Sequence, residues 1–209
     1  MIFTGLSVGP MDNNCYIIGC EETREAAVVD PGAEPGRILR QLEELKLNCR
    51  LIILTHGHAD HIGALGKVQE ATGAEVMIHA DDAAMLTSPG RNLSMFTGGA
   101  IKLKAADRQL RDGDTVGVGK LQLKILHTPG HTPGGISILA EDKLITGDTL
   151  FAGSVGRSDF PGGDHNLMIK SIKEKILTLP PETPVYPGHG PASSVGEEAR
   201  YNPFLNGSW

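Results

Sequence analysis

The sequence predicts an α/β fold, with two β-sheets packed face to face and helices outside them. Three observations lead there. Short apolar runs recur along the chain and stop at turns rich in Gly, Pro, Asp and Asn, as buried strands do. Longer stretches carry their apolar residues at helical spacing instead. Each half of the chain passes through several strands and then a helix, an order consistent with layered sheets flanked by helices.

The elements follow in order. Ile2 to Val8 and Tyr16 to Ile18 read as strands separated by the turn Gly9-Pro10-Met11-Asp12-Asn13-Asn14. Ala26-Ala27-Val28-Val29 is an unbroken apolar run ending at Asp30-Pro31-Gly32, which suits a buried strand and a turn. Ile38, Leu39, Leu42 and Leu45 give Pro35 to Leu47 an amphipathic helical stripe. Leu51 to Leu54 is a further buried strand, and it runs directly into a histidine cluster. Ala64 to Ala71 reads as a helix stopped near Gly73, followed by a strand at Val76-Met77-Ile78. Strands then recur at Leu121 to Leu126, Ile136 to Leu139 and Leu144-Ile145. A helix from Asn166 to Leu177 carries Leu167, Ile169, Ile172 and Ile176 as its stripe, and a last strand leads into Tyr186-Pro187-Gly188-His189. Ser88 to Ala106 has weak periodicity and reads as an excursion over the surface. No linker divides the chain, so residues 1–209 read as one domain.

Composition narrows the classes. With 27 Gly and 13 Pro among 209 residues, tight turns outweigh long helices. A formal charge of -6 offers no electrostatic reason to meet nucleic acid or an anionic membrane. No apolar run approaches the roughly 20 residues of a membrane span, and no secretory signal opens the chain. Cys15, Cys20 and Cys49 lack the spacing of a disulfide framework or a thiolate zinc site, and read as reduced, buried thiols of a cytoplasmic protein.

The chemistry concentrates in Thr55-His56-Gly57-His58-Ala59-Asp60-His61, where four potential metal ligands follow a buried strand. Imidazole and carboxylate suit zinc, iron or manganese. In extended chain His56 and His58 point to one side, while Asp60 and His61 project from the first turn of the next helix. One short segment can therefore serve two cations. Of the histidines in His127-Thr128-Pro129-Gly130-His131, either could be a ligand on chemistry alone. Asp148 follows the apolar pair Leu144-Ile145, and its carboxylate would be costly to bury without a cation beside it. His79 and His165 lack any such setting and read as surface or cap residues. Asp30 either orients a ligand histidine or merely makes a turn. Arg157 either braces its loop through Asp159 or Asp164, or holds a substrate carboxylate.

Thr-His-x-His-x-Asp-His after an apolar strand resembles the signature of the metallo-β-lactamase superfamily. Thr128-Pro129-Gly130-His131-Thr132, Thr146-Gly147-Asp148-Thr149-Leu150-Phe151 and Pro187-Gly188-His189-Gly190 follow in the family's order, and Asp12 to Tyr16 and Val29 to Gly32 look like family segments too. The resemblance runs from about residue 12 to residue 191. It implies the αββα four-layer sandwich with two divalent metals, zinc above all, iron or manganese otherwise, at one sheet edge. His56, His58 and His131 would bind the first metal, and Asp60, His61 and His189 the second. Asp148 would bridge them, and Asp60 would also orient the hydroxide held between the metals. His127 is then a strand-end residue, free to bond a ligand from behind.

Within the superfamily the chain looks like glyoxalase II, the hydroxyacylglutathione hydrolases, in a short form without their C-terminal helical glutathione-binding region. The implied reaction is hydrolysis of a small-molecule thioester such as S-lactoylglutathione, with Asn202-Pro203-Phe204-Leu205 packing beside the site. A second resemblance is to persulfide dioxygenases, which use one iron held by residues matching His56, His131 and Asp148. The segment Gly156-Arg157-Ser158-Asp159-Phe160 is similar to one of theirs.

Overall fold

The structure, a computed structural model, describes residues 1–96 and 99–207. The first sheet has the order β1 (Ile2–Val8), β2 (Asn13–Gly19), β3 (Glu25–Val29), β4 (Asn48–Ile53), β5 (Glu75–His79), β6 (Arg108–Leu110). β1 to β3 run antiparallel, and β3 to β6 run parallel. The parallel steps need crossovers, which α1 (Pro35–Glu44) and α3 (Leu65–Thr72) provide on the outer face. The second sheet contains β7 (Thr115–Val118), β8 (Leu121–His127), β9 (Ile136–Ala140) and β10 (Lys143–Gly147) as an antiparallel meander. β13 (Pro184–Pro187) joins β10 in parallel, and β14 (Ser193–Ser194) closes that edge. Between them lie the small hairpin β11 (Leu150–Phe151) and β12 (Ser154–Val155) and the helix α4 (His165–Ser171), which continues as a π-turn over Ile172–Ile176.

Neighbouring residues of one strand enter different layers. Ile18, Val29 and Ile53 face the interior between the sheets, where they meet Leu123, Ile125, Ile138 and Ile145. Ile17, Val28 and Ile52 face outward beneath Ile38 and Leu42 of α1 and Val68 of α3. On the far side Leu144 and Val185 lie under Met168, Ile172 and Ile176. Strands covered on both faces must be apolar at every position, which is why these runs do not alternate. Each such side chain contributes about 1.5–3 kcal/mol by leaving water. The layers are therefore α, β, β, α.

Most expected elements are present, with shifted ends. Asn13 and Asn14 belong to β2 rather than to the preceding turn, because they pair across to Val8 and Ser7. The helix expected from Asn166 to Leu177 is α-helical only through Ser171 before it widens. β6, β7, the β11–β12 hairpin, β14 and the helices α5 (Val195–Tyr201) and α6 (Pro203–Asn206) are additional. All are short, and several lie at edges where no long apolar run is required. Ser88 to Ala106 is more than a surface excursion: Asn92 is fully buried, and its amide donates to the carbonyls of Met85 and Ile101. Its own carbonyl accepts the amide of Ala59, so the segment covers the histidine cluster. Residues 97 and 98 of it lie outside the described residues. Asn202 to Leu205 does not pack beside the cluster. Leu205 joins the outer core under α4, and Asn202 Nδ2 donates to the carbonyl of Ser154. Cys15, Cys20 and Cys49 are free and buried, and no helix among the described residues is long and apolar enough to cross a membrane.

Candidate metal centre

The cluster gathers where the C-terminal ends of β4, β8 and β10 open between the sheets. Leaving β4, the chain stays extended, so His56 and His58 face one another with ring centroids 4.7 Å apart. The short helix α2 (Ala59–Ile62) then begins, and its first turn carries Asp60 and His61. The loop after β8 delivers His131, the end of β10 delivers Asp148, and the loop after β13 delivers His189.

Two groups of donors result. One ligand atom each from His56, His58 and His131 lies within 4.8 Å of the others, and the same holds for Asp60, His61, Asp148 and His189. All seven positions expected to bear ligands are thus brought together. Asp148 stands between the groups: Oδ1 is 3.4 Å from His61 Nε2, while Oδ2 is 3.7 Å from both His131 Nε2 and His189 Nε2. Asp60 Oδ2 lies 3.0 Å from His189 Nε2.

The histidines are held from behind. His61 Nδ1 donates to Asp30 Oδ2 at 2.9 Å, and the Thr55 hydroxyl donates to the same oxygen at 2.6 Å. That hydroxyl can then accept from His56 Nδ1 at 3.2 Å. His131 Nδ1 donates to the carbonyl of Arg157, and His189 Nδ1 to that of Met11. In each case one ring nitrogen is committed as a donor, so that in the neutral ring the Nε2 lone pair would be left to face a cation. Asp30 is therefore an orienting residue as well as a turn residue. Its carboxylate also accepts the Thr55 amide at 2.7 Å.

Burial decides the protonation states. It pushes His56 well below the ordinary histidine range and His58 down to about 3, with neighbouring histidines adding to the effect. These rings are neutral and available as ligands. Burial acts in the same direction on His61 and His189, yet carboxylates outweigh it. Asp148 and Asp30 raise His61 well above the usual range, and the hydrogen bond to Asp60 raises His189. Asp60 and Asp148 stay ionised despite burial because these histidines sit against them. The raised histidines register the pull of these carboxylates on positive charge, which a bound cation would answer in place of the protons. Of the five buried side-chain polar atoms without a hydrogen-bond partner among the described residues, three belong to these donors: His56 Nε2, His61 Nε2 and Asp148 Oδ1. Such atoms are costly unless something cationic satisfies them, so the donor set fits divalent metals.

Several positioning residues give no signal in the periodicity. Asn14 Nδ2 donates to the carbonyls of Pro187 and Gly190, and the Tyr16 hydroxyl donates to that of Pro187 at 2.7 Å. Together they pin the His189 loop to β2. Asp82, fully buried in a 3₁₀ turn over Ala80–Met85, accepts the Thr132 hydroxyl and the Gly134 amide, each at 2.7 Å. It anchors the loop that carries His131. Arg157 pairs with Asp159 through two bonds of 3.0 and 2.8 Å, and Asp164 instead caps α4. His165 is exposed at the start of α4. His79 does cap the 3₁₀ turn, but it is buried at 5% exposure rather than on the surface, because His127 stacks over it. His127 ends β8 and touches none of the seven donors; its Nε2 donates to Pro133.

A cleft of about 580 Å³ opens onto the donors, lined also by Val8, Pro10, Met11, Leu93, Ile101, Phe151, Arg157 and Phe160. A hollow of about 790 Å³ elsewhere, along α3 and Lys102 to Asp107, is lined by none of them.

The metallo-β-lactamase superfamily profile matches residues 8–189. The chain belongs to the metallo-β-lactamase superfamily. The hydroxyacylglutathione hydrolase GloC of Haemophilus influenzae is 37% identical over 205 residues, covering 96% of either chain. Three solved structures share this superfamily fold. The BLEG-1 B3 metallo-β-lactamase superposes with a TM-score of 0.93 at 37% identity, covering 98% of this chain and all of that one. The protein TTHA1623 in a di-iron-bound form gives 0.86 at 38% identity, over 97% of this chain and 100% of its own. ETHE1 from Myxococcus xanthus gives 0.83 at 36% identity, over 99% and 85%.

Proposed function

We propose that this superfamily member is a binuclear metallohydrolase of the glyoxalase II type, cleaving a thioester such as S-lactoylglutathione to an acid and a thiol. The observation that carries the reading is Asp148, whose carboxylate reaches both donor groups, Oδ2 lying 3.7 Å from His131 of the first and His189 of the second and Oδ1 3.4 Å from His61. His56, His58 and His131 would hold one cation, Asp60, His61 and His189 the other, with Asp148 shared. When bound, divalent cations at such a centre supply hydroxide from water near neutral pH and polarise an acyl carbonyl. Zinc is the favoured metal, with iron and manganese compatible with the same donors. The relative named GloC supports the choice of substrate class, and the di-iron form of TTHA1623 supports two metals.

The chain's own groups then divide the work. Asp60 lines the cleft as an ionised carboxylate, placed to orient the attacking hydroxide. The apolar wall of Met11, Leu93, Ile101 and Phe160 would hold the acyl thioester against the donors and exclude bulk water. Thiols have a pKa near 8.5, so the departing sulfur needs little help from an acid. No serine or cysteine nucleophile is required.

The likeness to ETHE1 favours one second reading, a persulfide dioxygenase with a single iron on His56, His131 and Asp148. Metal counting together with assays on S-lactoylglutathione and glutathione persulfide separates the two. Thioester hydrolysis with two metals per chain, abolished by His58→Ala and Asp148→Ala but only weakened by His79→Ala, supports the hydrolase. Oxygen uptake with one iron overturns it, and equal damage from His79→Ala would show the ligand assignment to be wrong.

A further inference from the structure

We propose that the cleft over the metal centre selects its thioester by an extended apolar acyl chain, and gives no recognition to a lactoyl hydroxyl or to the carboxylates of glutathione. This rests on thioester hydrolysis as the reaction and narrows the substrate class within it.

Three stretches far apart in the sequence build one apolar wall. Val8, Pro10 and Met11 come from the end of β1 and the turn after it. Leu93 and Ile101 come from the segment that covers the histidines, and Phe160 from the loop after β12. Besides the metal-centre donors, the polar side chains bordering the cleft are Asn13, Asn92 and Arg157. Each is already engaged. Asn92 Nδ2 donates to the carbonyls of Met85 and Ile101, and its oxygen accepts the Ser94 amide. Asn13 Nδ2 lies 3.0 Å from His61 Nδ1, and its oxygen, though unpartnered, is closed to solvent and so to substrate. Arg157 is held by two bonds to Asp159 and lies 4.3 Å over the Phe160 ring. No lysine borders the cleft.

That inventory favours one kind of substrate. A carboxylate drawn against this wall would give up water without meeting an uncommitted cation, which is unfavourable. A hydroxyl finds no free polar side chain to bond, so it gains nothing over a methyl group. Each methylene that leaves water against the wall instead favours binding by about fourfold. The volume of about 580 Å³ lies in the range that accepts drug-sized molecules, far more than a lactoyl group fills. With the acyl carbonyl at the donors, the chain would run along Met11, Leu93, Ile101 and Phe160.

The test is kcat/KM of the metal-loaded protein on acetyl, butanoyl, hexanoyl and octanoyl thioesters of the neutral thiol N-acetylcysteamine, beside lactoyl thioesters of that thiol and of glutathione. The natural sequence is expected to gain about 2–4-fold per methylene, with lactoyl below butanoyl. Glutathione in place of N-acetylcysteamine should bring less than about fivefold, the most an exposed ion pair supplies. Met11→Gln and Phe160→Ala should each lower the octanoyl-to-acetyl ratio by about 3–10-fold. Met11 is more than half exposed, so its variant keeps the comparison sound if Phe160→Ala folds poorly. A flat series, a preference for glutathione above about tenfold, or an unchanged ratio in both variants overturns the proposal. Calorimetric Kd values for butanoic to octanoic acid, the acid products, read the same gradient without turnover. Tighter binding with length but no thioester cleaved would sink the proposed reaction and leave the preference standing. Binding that ignores length would sink the preference, whichever thioesters are cleaved.

Discussion

Asp30 Oδ2 accepts a 2.9 Å hydrogen bond from His61 Nδ1, with both side chains closed to solvent. The same carboxylate holds Thr55, and through it His56, so one residue orients histidines of both donor groups. Asp30 sits at φ 50°, a left-handed conformation that Asn also tolerates. Asp30→Asn should therefore keep the turn while setting an amide N–H against donors. Metal affinity should fall about 10–100-fold with the far-ultraviolet circular dichroism unchanged. Unchanged affinity in a competition assay with a chromogenic chelator would show that Asp30 serves the turn alone.

Gly188 leaves room that only glycine can leave, since a Cβ there would overlap Asp148 Oδ1 and press on His61 Cε1. Gly188→Ala should displace the carboxylate standing between the two groups and lower kcat at least about 100-fold. Gly190, two residues on, has open space around it but a φ of +76°. Gly190→Ala should cost stability of about 1 kcal/mol and leave turnover largely intact. Comparing kcat with Tm for the two variants checks the distinction.

Asp82→Ala removes the acceptor of two hydrogen bonds, from Thr132 and Gly134. Buried donors left unsatisfied cost about 1–3 kcal/mol each, opposed in part by relief of the burial that pushes the Asp82 pKa upward. A Tm lower by about 4–10 °C is expected for a chain of this size. Since the anchored loop carries His131, metal should also dissociate faster, which stopped-flow transfer to a chelator would reveal. A drop in Tm with unchanged metal release would confine Asp82 to a structural role.

Phe160 borders the cleft beside His58, their rings 5.8 Å apart, with the Arg157 guanidinium 4.3 Å above its face. Phe160→Ala should raise KM several-fold for an apolar acyl thioester and barely change Tm, because the ring is only partly buried. Arg157 pairs with Asp159 at the exposed surface, where an ion pair contributes about 0–1 kcal/mol. Arg157→Ala should therefore leave the melting curve nearly in place.

Removing metal with a chelator should abolish activity and lower Tm, since paired and orphaned donors alike lose the charge that satisfies them. Restoring zinc, iron or manganese separately, and measuring turnover after each, identifies the working metal. Full activity in the chelated protein would contradict the proposed hydrolase.

Some of this was decided locally. Val28-Val29 and Ile52-Ile53 each place one neighbour inward and one outward, so an unbroken apolar run already implies a strand with helices over one face and a sheet over the other. The spacing of His56, His58, Asp60 and His61 likewise carries its own geometry, because extended chain and a first helical turn have known periods. The partners of that segment were recognisable only as motifs. That His131, Asp148 and His189 reach it depends on strand order, which no local period encodes. Asn14, Tyr16 and Asp82 act through side chains meeting loops far away in the chain, and an isolated Asn or Asp in a sequence looks the same whether it caps a turn or steers a ligand. The burial of His79 under His127 arises in the same way, from two strand ends in different sheets brought face to face. Local patterning set which residues could lie inside; long-range packing of the two sheets chose which of them touch.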